Sequence, residues 1–194
     1  MEFPILETQR LRLTEITEQD AECYYALLQR KDVTFYYGMD RLLEKEEAVE
    51  MIRAFRVVFE VMRGMRWGIR LHGGEELIGT IGLNQLHLRS KKTEVGYELH
   101  PDYWRQGVME EALAAVLAYA FDELGLYRIG ATTYPENTGS NRLLVKMGFA
   151  QEGRLRGYLH QGGESHDALV FSLLAPEWQQ QQSEKRRPKN GDAL

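Results

Sequence analysis

Gly96-Tyr97-Glu98-Leu99-His100-Pro101-Asp102-Tyr103-Trp104-Arg105-Gln106-Gly107-Val108-Met109-Glu110-Glu111-Ala112 reads as a strand stopped by a proline, a tight turn, and a glycine that leads straight into a helix. A helix start leaves backbone N–H groups without internal partners, and the aligned peptide dipoles add partial positive charge there. Such a junction can seat an anion, a phosphate above all, without any lysine. Gly107 is the residue that allows a close backbone approach. A single glycine is also compatible with an ordinary strand–turn–helix joint, so the neighbouring segments decide the reading.

Working outward, Thr93 to Leu99 extends this strand backwards to a turn at Ser90-Lys91-Lys92. Before it, Trp67 to Leu71 and Leu77 to Leu83 flank His72-Gly73-Gly74-Glu75, the signature of a hairpin. These three runs form an antiparallel meander. At the start of the chain, Leu11 and Leu13 alternate with Arg10, Arg12 and Thr14, the period of a half-buried strand, and a helix follows from about Asp20 to Gln29. Phe35-Tyr36-Tyr37-Gly38 reads as an aromatic loop, and Ala48 to Met62 shows one apolar helical face closed by Gly64. After the opening stretch, Ala112 to Phe121 continues a helix that stops at Gly125. Tyr127 to Thr133 is then a strand that should run parallel to the one before that helix. Asn137-Thr138-Gly139-Ser140-Asn141 caps a short helix through Lys146, and Phe149 to Tyr158 with Ala168 to Leu174 forms a closing hairpin. Gln179 to Leu194 holds four consecutive glutamines, a basic patch and no apolar face, which predicts a disordered tail behind a folded domain of residues 1–178.

Bulk properties narrow the function. The chain has 194 residues, 43% hydrophobic and 27% charged, with a formal charge of -5, so it lacks the basic field of a nucleic-acid binder. Its one cysteine, Cys23, excludes an internal disulfide, and its five histidines show no metal-ligand spacing. No leader pattern and no apolar run long enough for a bilayer are visible, which points to a cytoplasmic protein without membrane partners.

The order of these elements, together with Leu6 to Leu13, Gly96 to Ala112 and Asn137 to Phe149, resembles the GNAT superfamily of acyl-CoA-dependent N-acetyltransferases. Within it, these segments look most like the branch of the ribosomal-protein N-terminal serine and alanine acetyltransferases. The resemblance implies a mixed α/β (α+β) fold: a mostly antiparallel twisted sheet of about seven strands, splayed in the middle and flanked by about four helices. It also implies acetyl-CoA as acyl donor, with its pyrophosphate on the N–H groups of Arg105, Gln106, Gly107, Val108 and Met109. The pantetheine arm should pair with the backbone of Glu98 and Leu99, and Asn137, Ser140 and Asn141 should meet the coenzyme beside its sulfur. The family's phosphate-loop pattern places Trp104, Gly107 and Met109 at its three marked positions. Only the glycine matches strictly, and Met109 is bulkier than the usual small residue, which predicts a looser approach of the helix start.

By resemblance Ser140 protonates the departing thiolate, whereas Asn137 and Asn141 are read equally well as helix caps. An amine must lose a proton before or during attack on a thioester, so a base is needed. Glu94 and Glu98 share a strand face by parity, with Gly96 between them as a possible bulge, and Glu98, which lies nearer the strand end, is the preferred catalytic base. A water relay would serve as well. The backbone N–H of Leu99 is the expected oxyanion donor. By analogy the acceptor amine enters near Phe35, Tyr36, Tyr37, Arg156, Tyr158 and Asp167. The sequence thus predicts acetyl transfer to a primary amine, in particular a protein or peptide N-terminus, by direct attack in a ternary complex. A polyamine or antibiotic acetyltransferase and a non-catalytic acyl-CoA sensor are the competing readings.

Overall fold

The computed structural model describes residues 2–186. Eight strands form one sheet, in the order β1-β2-β3-β4-β5-β6-β8-β7. They are β1 (Leu6–Glu7), β2 (Leu11–Glu15), β3 (Met65–Leu71), β4 (Gly79–His87), β5 (Lys92–Leu99), β6 (Arg128–Thr133), β7 (Ala150–Gln161) and β8 (Glu164–Leu174). Six α-helices flank it among the described residues: α1 (Ala21–Leu28), α2 (Lys31–Tyr37), α3 (Lys45–Glu60), α4 (Val108–Ala118), α5 (Thr138–Lys146) and α6 (Ala175–Arg186). Every neighbouring pair of strands is antiparallel except β5 and β6, as a helical crossover between consecutive strands requires.

Alternation along the strands sends two different sets of side chains to the two faces. Leu11, Leu13, Trp67, Ile69, Ile81, Leu83, Val95 and Leu99 join the main core, together with Ala112, Leu113, Val116 and Leu117 of α4. Full burial of each large aliphatic side chain contributes roughly 1.5–3 kcal/mol, so α4 is docked by packing more than by its own helix propensity. The opposite face carries Thr14, Arg66, Arg70, Thr80 and Glu98 along the paired registers, interleaved with Gly68, Gly82 and Gly96. The glycines make room for the long cationic side chains. A Cβ on Gly68 would stand 2.5 Å from Arg70 Nη1 and 2.6 Å from Leu77 Cδ1. Over this face lies a second core, built by Tyr24, Leu27 and Leu28 of α1, Val33 of α2, and Ala48 and Ile52 of α3.

Several expectations need correction. Phe35, Tyr36 and Tyr37 end a short helix rather than forming a loop, and Gly38 terminates it at φ 80°. Burial of Val33 and Thr34 overrides the poor helix propensity of this β-branched and aromatic run. The expected mostly antiparallel sheet of about seven strands is present, with eight once Leu6–Glu7 is counted as an edge pair to β2. The bulge expected at Gly96 lies instead in β4, between Asn84 and His87, while Gly96 stays in register with Gly82. The chain is helical through Arg186 where disorder was expected from Gln179, since Trp178 stacks on Phe121 at 5.7 Å and anchors α6. Residues 187–194 of that expected tail lie outside the described residues.

Candidate active site

The parallel pairing of β5 with β6 covers only Lys92 to Glu94 against Arg128 to Gly130. Beyond Glu94 the two strands part, leaving a wedge with its vertex at Glu94 and Gly130. His100 N–H donates to Ile78 O at 2.8 Å, so in the antiparallel register the next hydrogen-bonded pair is Glu98 with Thr80. The backbone of Glu98 therefore faces β4, and the polar groups of Tyr97 and Leu99 face the wedge. This shifts the expected pairing positions from Glu98 and Leu99 to Tyr97 and Leu99. Within the wedge the Leu99 carbonyl accepts from Trp104 Nε1 at 2.8 Å.

At the wide end of the wedge, Pro101–Tyr103 makes one tight turn and α4 begins behind Gly107. Arg105 and Gly107 both adopt positive φ, 60° and 75°, a conformation that glycine takes freely and arginine does not. The first helical bond is Glu111 N–H to Gly107 O at 3.1 Å. The N–H groups of Val108, Met109 and Glu110 consequently have no partner within the helix. The Met109 side chain turns into the main core and is 9% exposed. Its bulk fills the space under α4 and is not spent at the helix mouth. Arg105 and Gln106 form the turn itself, and Gln106 O accepts from Arg10 Nη1 at 2.9 Å.

Across the wedge, Asn137 caps α5 by accepting from the Ser140 N–H at 3.1 Å. Asn141 spends both ends of its amide on structure. Its Oδ1 accepts from the Thr133 hydroxyl, and its Nδ2 donates to Tyr134 O at 3.3 Å and Pro135 O at 3.1 Å. Ser140 Oγ lies 2.8 Å from the Tyr97 hydroxyl, so β5 and α5 touch across the opening through these two groups. Burial pushes the Tyr97 phenol up to about 12, with the Ser140 contact acting in the opposite sense. Tyr97 was not among the sequence candidates. Its place in the strand alternation was visible, but its partner, 43 positions away, was not.

The two candidate bases have different surroundings. Glu98 is 5% exposed. It accepts from Arg66 Nη1 at 3.1 Å and from the Thr80 hydroxyl, and Arg66 Nη1 also donates to Thr80 Oγ1 at 2.8 Å. The Arg66 guanidinium lies over the rings of Phe55 (5.4 Å) and Tyr37 (5.7 Å). Burial pushes the Glu98 carboxyl up, and Arg66 and Thr80 offset part of that effect. Burial likewise pushes Tyr37 up to about 12 and Tyr24 well above the ordinary phenol range. Glu94, on the same strand face, is only half-buried. With Lys92, Arg128, Gly130 and Thr132 it lines a cavity of about 260 Å³ at the vertex of the wedge.

On the acceptor side, Phe35 stacks on Tyr134 at 6.0 Å and Tyr36 meets the same ring edge-on at 6.3 Å. Gln161 ties the β7–β8 hairpin to α2 by donating to Thr34 O and Met39 O, and its Oε1 accepts from the Tyr134 hydroxyl. Between these elements lies a cavity of about 460 Å³ lined in part by Lys31, Phe35, Asp40, Arg41, Glu164 and His166. Tyr37 turns inward over Arg66, and Asp167 accepts from Arg154 Nε at 2.7 Å and Gly157 N–H at 2.8 Å. Neither side chain lines that cavity, and neither do Arg156 and Tyr158. No group of histidine, cysteine or carboxylate side chains among the described residues could hold a metal, and no described helix is long and apolar enough to cross a membrane.

A wedge between two parallel strands, closed at one end by a helix start with free N–H groups, is the framework of an acyl-CoA enzyme. Residues 10–150 match the acetyltransferase (GNAT) domain, and the chain belongs to this family of N-acetyltransferases, whose acyl donor is acetyl-CoA. It is 46% identical over 174 residues to the uncharacterized N-acetyltransferase YoaA of Bacillus subtilis strain 168, covering 90% of this chain and 98% of that protein. A shorter match, 33% identical over 84 residues and 43% of each chain, is to the ribosomal protein uS5-alanine N-acetyltransferase of Escherichia coli K12. Among solved structures, a GNAT-family acetyltransferase from Bacillus anthracis superposes with a TM-score of 0.79 at 25% identity, covering 89% of this chain and 99% of the other.

Proposed function

We propose that the protein acetylates the N-terminal amine of a protein or peptide in a ternary complex, in the cytoplasm. The observation that carries this reading is the Glu94 vertex, where a half-buried carboxylate lines a cavity at the point where β5 and β6 part, while the Tyr97–Ser140 contact spans the opening from the other face of the sheet. Acetyl-CoA supplies the activated thioester. The free N–H groups behind Gly107 suit its pyrophosphate, and the edge formed by Tyr97 and Leu99 suits an extended arm laid along a strand.

In this reading Glu94 takes the proton from the attacking amine, and the N–H groups of Tyr97 and Leu99 receive the negative charge that gathers on the carbonyl oxygen. Ser140, backed by Tyr97, gives a proton to the sulfur as the carbon–sulfur bond breaks. Glu98, ion-paired to Arg66 and covered by α1 and α2, supports β5 from beneath. Asn137 and Asn141 hold the α5 entry beside Ser140. A peptide terminus is favoured over a polycation because the larger cavity mixes Lys31 and Arg41 with Asp40 and Glu164, so its carboxylates do not stand alone. The similarity to a ribosomal-protein alanine acetyltransferase supports the same acceptor class.

The test is thiol release from acetyl-CoA against peptides beginning with serine or alanine, their N-terminally blocked forms, and small polyamines. Release that requires the free peptide terminus is the expected result. Release with polyamines alone would replace the acceptor, and coenzyme binding without release in any mixture would indicate a sensor.

A further inference from the structure

The chain's first strands reach the coenzyme end of the wedge through one arginine. Arg10 Nε donates to Glu111 Oε2 at 2.6 Å, and Arg10 N–H and the Thr8 hydroxyl both donate to Glu111 Oε1, at 2.8 and 2.6 Å. The same guanidinium donates from Nη1 to Gln106 O at 2.9 Å, and its Nη2 lies 3.4 Å from where a Cβ on Gly107 would sit. One side chain therefore grips the first turn of α4 and the turn that precedes it. Isolated exposed ion pairs contribute little, but a carboxylate engaged by three donors from one segment is geometrically determined. Those contacts hold the Glu111 carboxyl below the ordinary range against the effect of its partial burial. The turn so gripped contains Arg105 at φ 60°, a conformation that persists only where the surroundings hold it.

We propose that Arg10 and Glu111 form a buckle that keeps the Arg105–Gly107 turn in the shape that receives the coenzyme pyrophosphate, which makes Arg10 a positioning residue for acetyl-CoA binding. The inference rests on the coenzyme reading of the wedge. It assigns a role at the site to the turn between β1 and β2, beyond the packing that the flanking residues contribute to the core. Glutamate in the first turn of a helix also complements the dipole, so Glu111 would be tolerated there without Arg10. What the dipole does not explain is the contact from Arg10 to Gln106 O, 96 positions away.

The experiment measures equilibrium binding of acetyl-CoA and of acetyl-pantetheine, which lacks the pyrophosphate, to the full chain and to Arg10→Gln, Glu111→Gln, the double variant and Arg10→Lys. Loss of a charge-assisted contact that shapes the turn should weaken acetyl-CoA about tenfold in each glutamine variant. The double variant should be no worse than either single one, and lysine, which cannot serve both acceptors at once, should recover only part. Acetyl-pantetheine affinity should be the same throughout, a pattern that general destabilisation would not produce. Unchanged acetyl-CoA affinity, or equal weakening of both ligands, overturns the buckle. A wild-type chain that binds both ligands equally well would instead overturn the phosphate reading of the loop.

Discussion

The Tyr97 hydroxyl and Ser140 Oγ stand 2.8 Å apart, joining a strand to a helix across the opening between β5 and β6. Burial pushes the Tyr97 phenol up to about 12, so at neutral pH it keeps its proton and is able to donate to Ser140. Ser140 by itself is a weak acid, and a hydroxyl behind it makes proton delivery to a leaving thiolate easier. Tyr97→Phe and Ser140→Ala should each lower kcat on the order of tenfold, the modest end of general acid effects because a thiolate is a tolerable leaving group. The double variant should match the single ones, since the two groups act as a unit. A kcat cycle in which the losses multiply would separate them.

Glu94→Gln should reduce turnover on the order of a hundredfold at neutral pH, the usual scale for loss of a general base. Raising the pH, which supplies more neutral amine without a base, should restore part of the rate. Glu98→Gln should act on folding stability more than on chemistry, because both oxygens of that carboxylate are held by Arg66 and Thr80. Full turnover in Glu94→Gln, together with loss of turnover in a folded Glu98→Gln protein, would transfer the base to Glu98.

What the sequence reveals of this site follows from the range of each signal. Gly73, Gly107 and the alternation of Leu11 with Leu13 act within a few residues, so the hairpin, the helix start and the first long strand can be read directly. Helix α2 could not be, because five of its seven residues are β-branched or aromatic, and it folds by packing against the second core. The resemblance supplied the splayed sheet and Ser140. It did not supply Tyr97, Arg66 or Arg10, whose partners lie 43, 32 and 101 positions away. Parity put Glu94 and Glu98 on one face but could not tell which is covered. That depends on α1 and α2 lying over one end of β5, a tertiary fact with no local trace.

Arg66→Met tests the buried ion pair. Leaving the Glu98 carboxylate without its partner should cost about 3–5 kcal/mol at neutral pH. Burial already raises the Glu98 carboxyl above its unfolded value, and removing the cation raises it further. A raised folded value means that the folded chain binds the proton more tightly than the unfolded chain. The variant should be closest to wild type below the ordinary carboxylate range and should lose stability as pH climbs through the folded value. Urea unfolding of Arg66→Met at several pH values should show that slope, and adding Glu98→Gln should flatten it. A pH-independent deficit would mean that lost packing against Phe55 and Tyr37, not charge, dominates.

Met109 occupies the position where a small residue was expected, and its side chain lies in the core under α4. Met109→Ala should therefore open a cavity and destabilise the fold by about 2–5 kcal/mol. It should not tighten acetyl-CoA, because the groups suited to the phosphate are backbone N–H donors whose positions are set by Gly107 and the helix axis. Thermal unfolding and acetyl-CoA titration on the same variant check both halves. A stable variant with clearly tighter binding would show that the methionine does crowd the helix mouth.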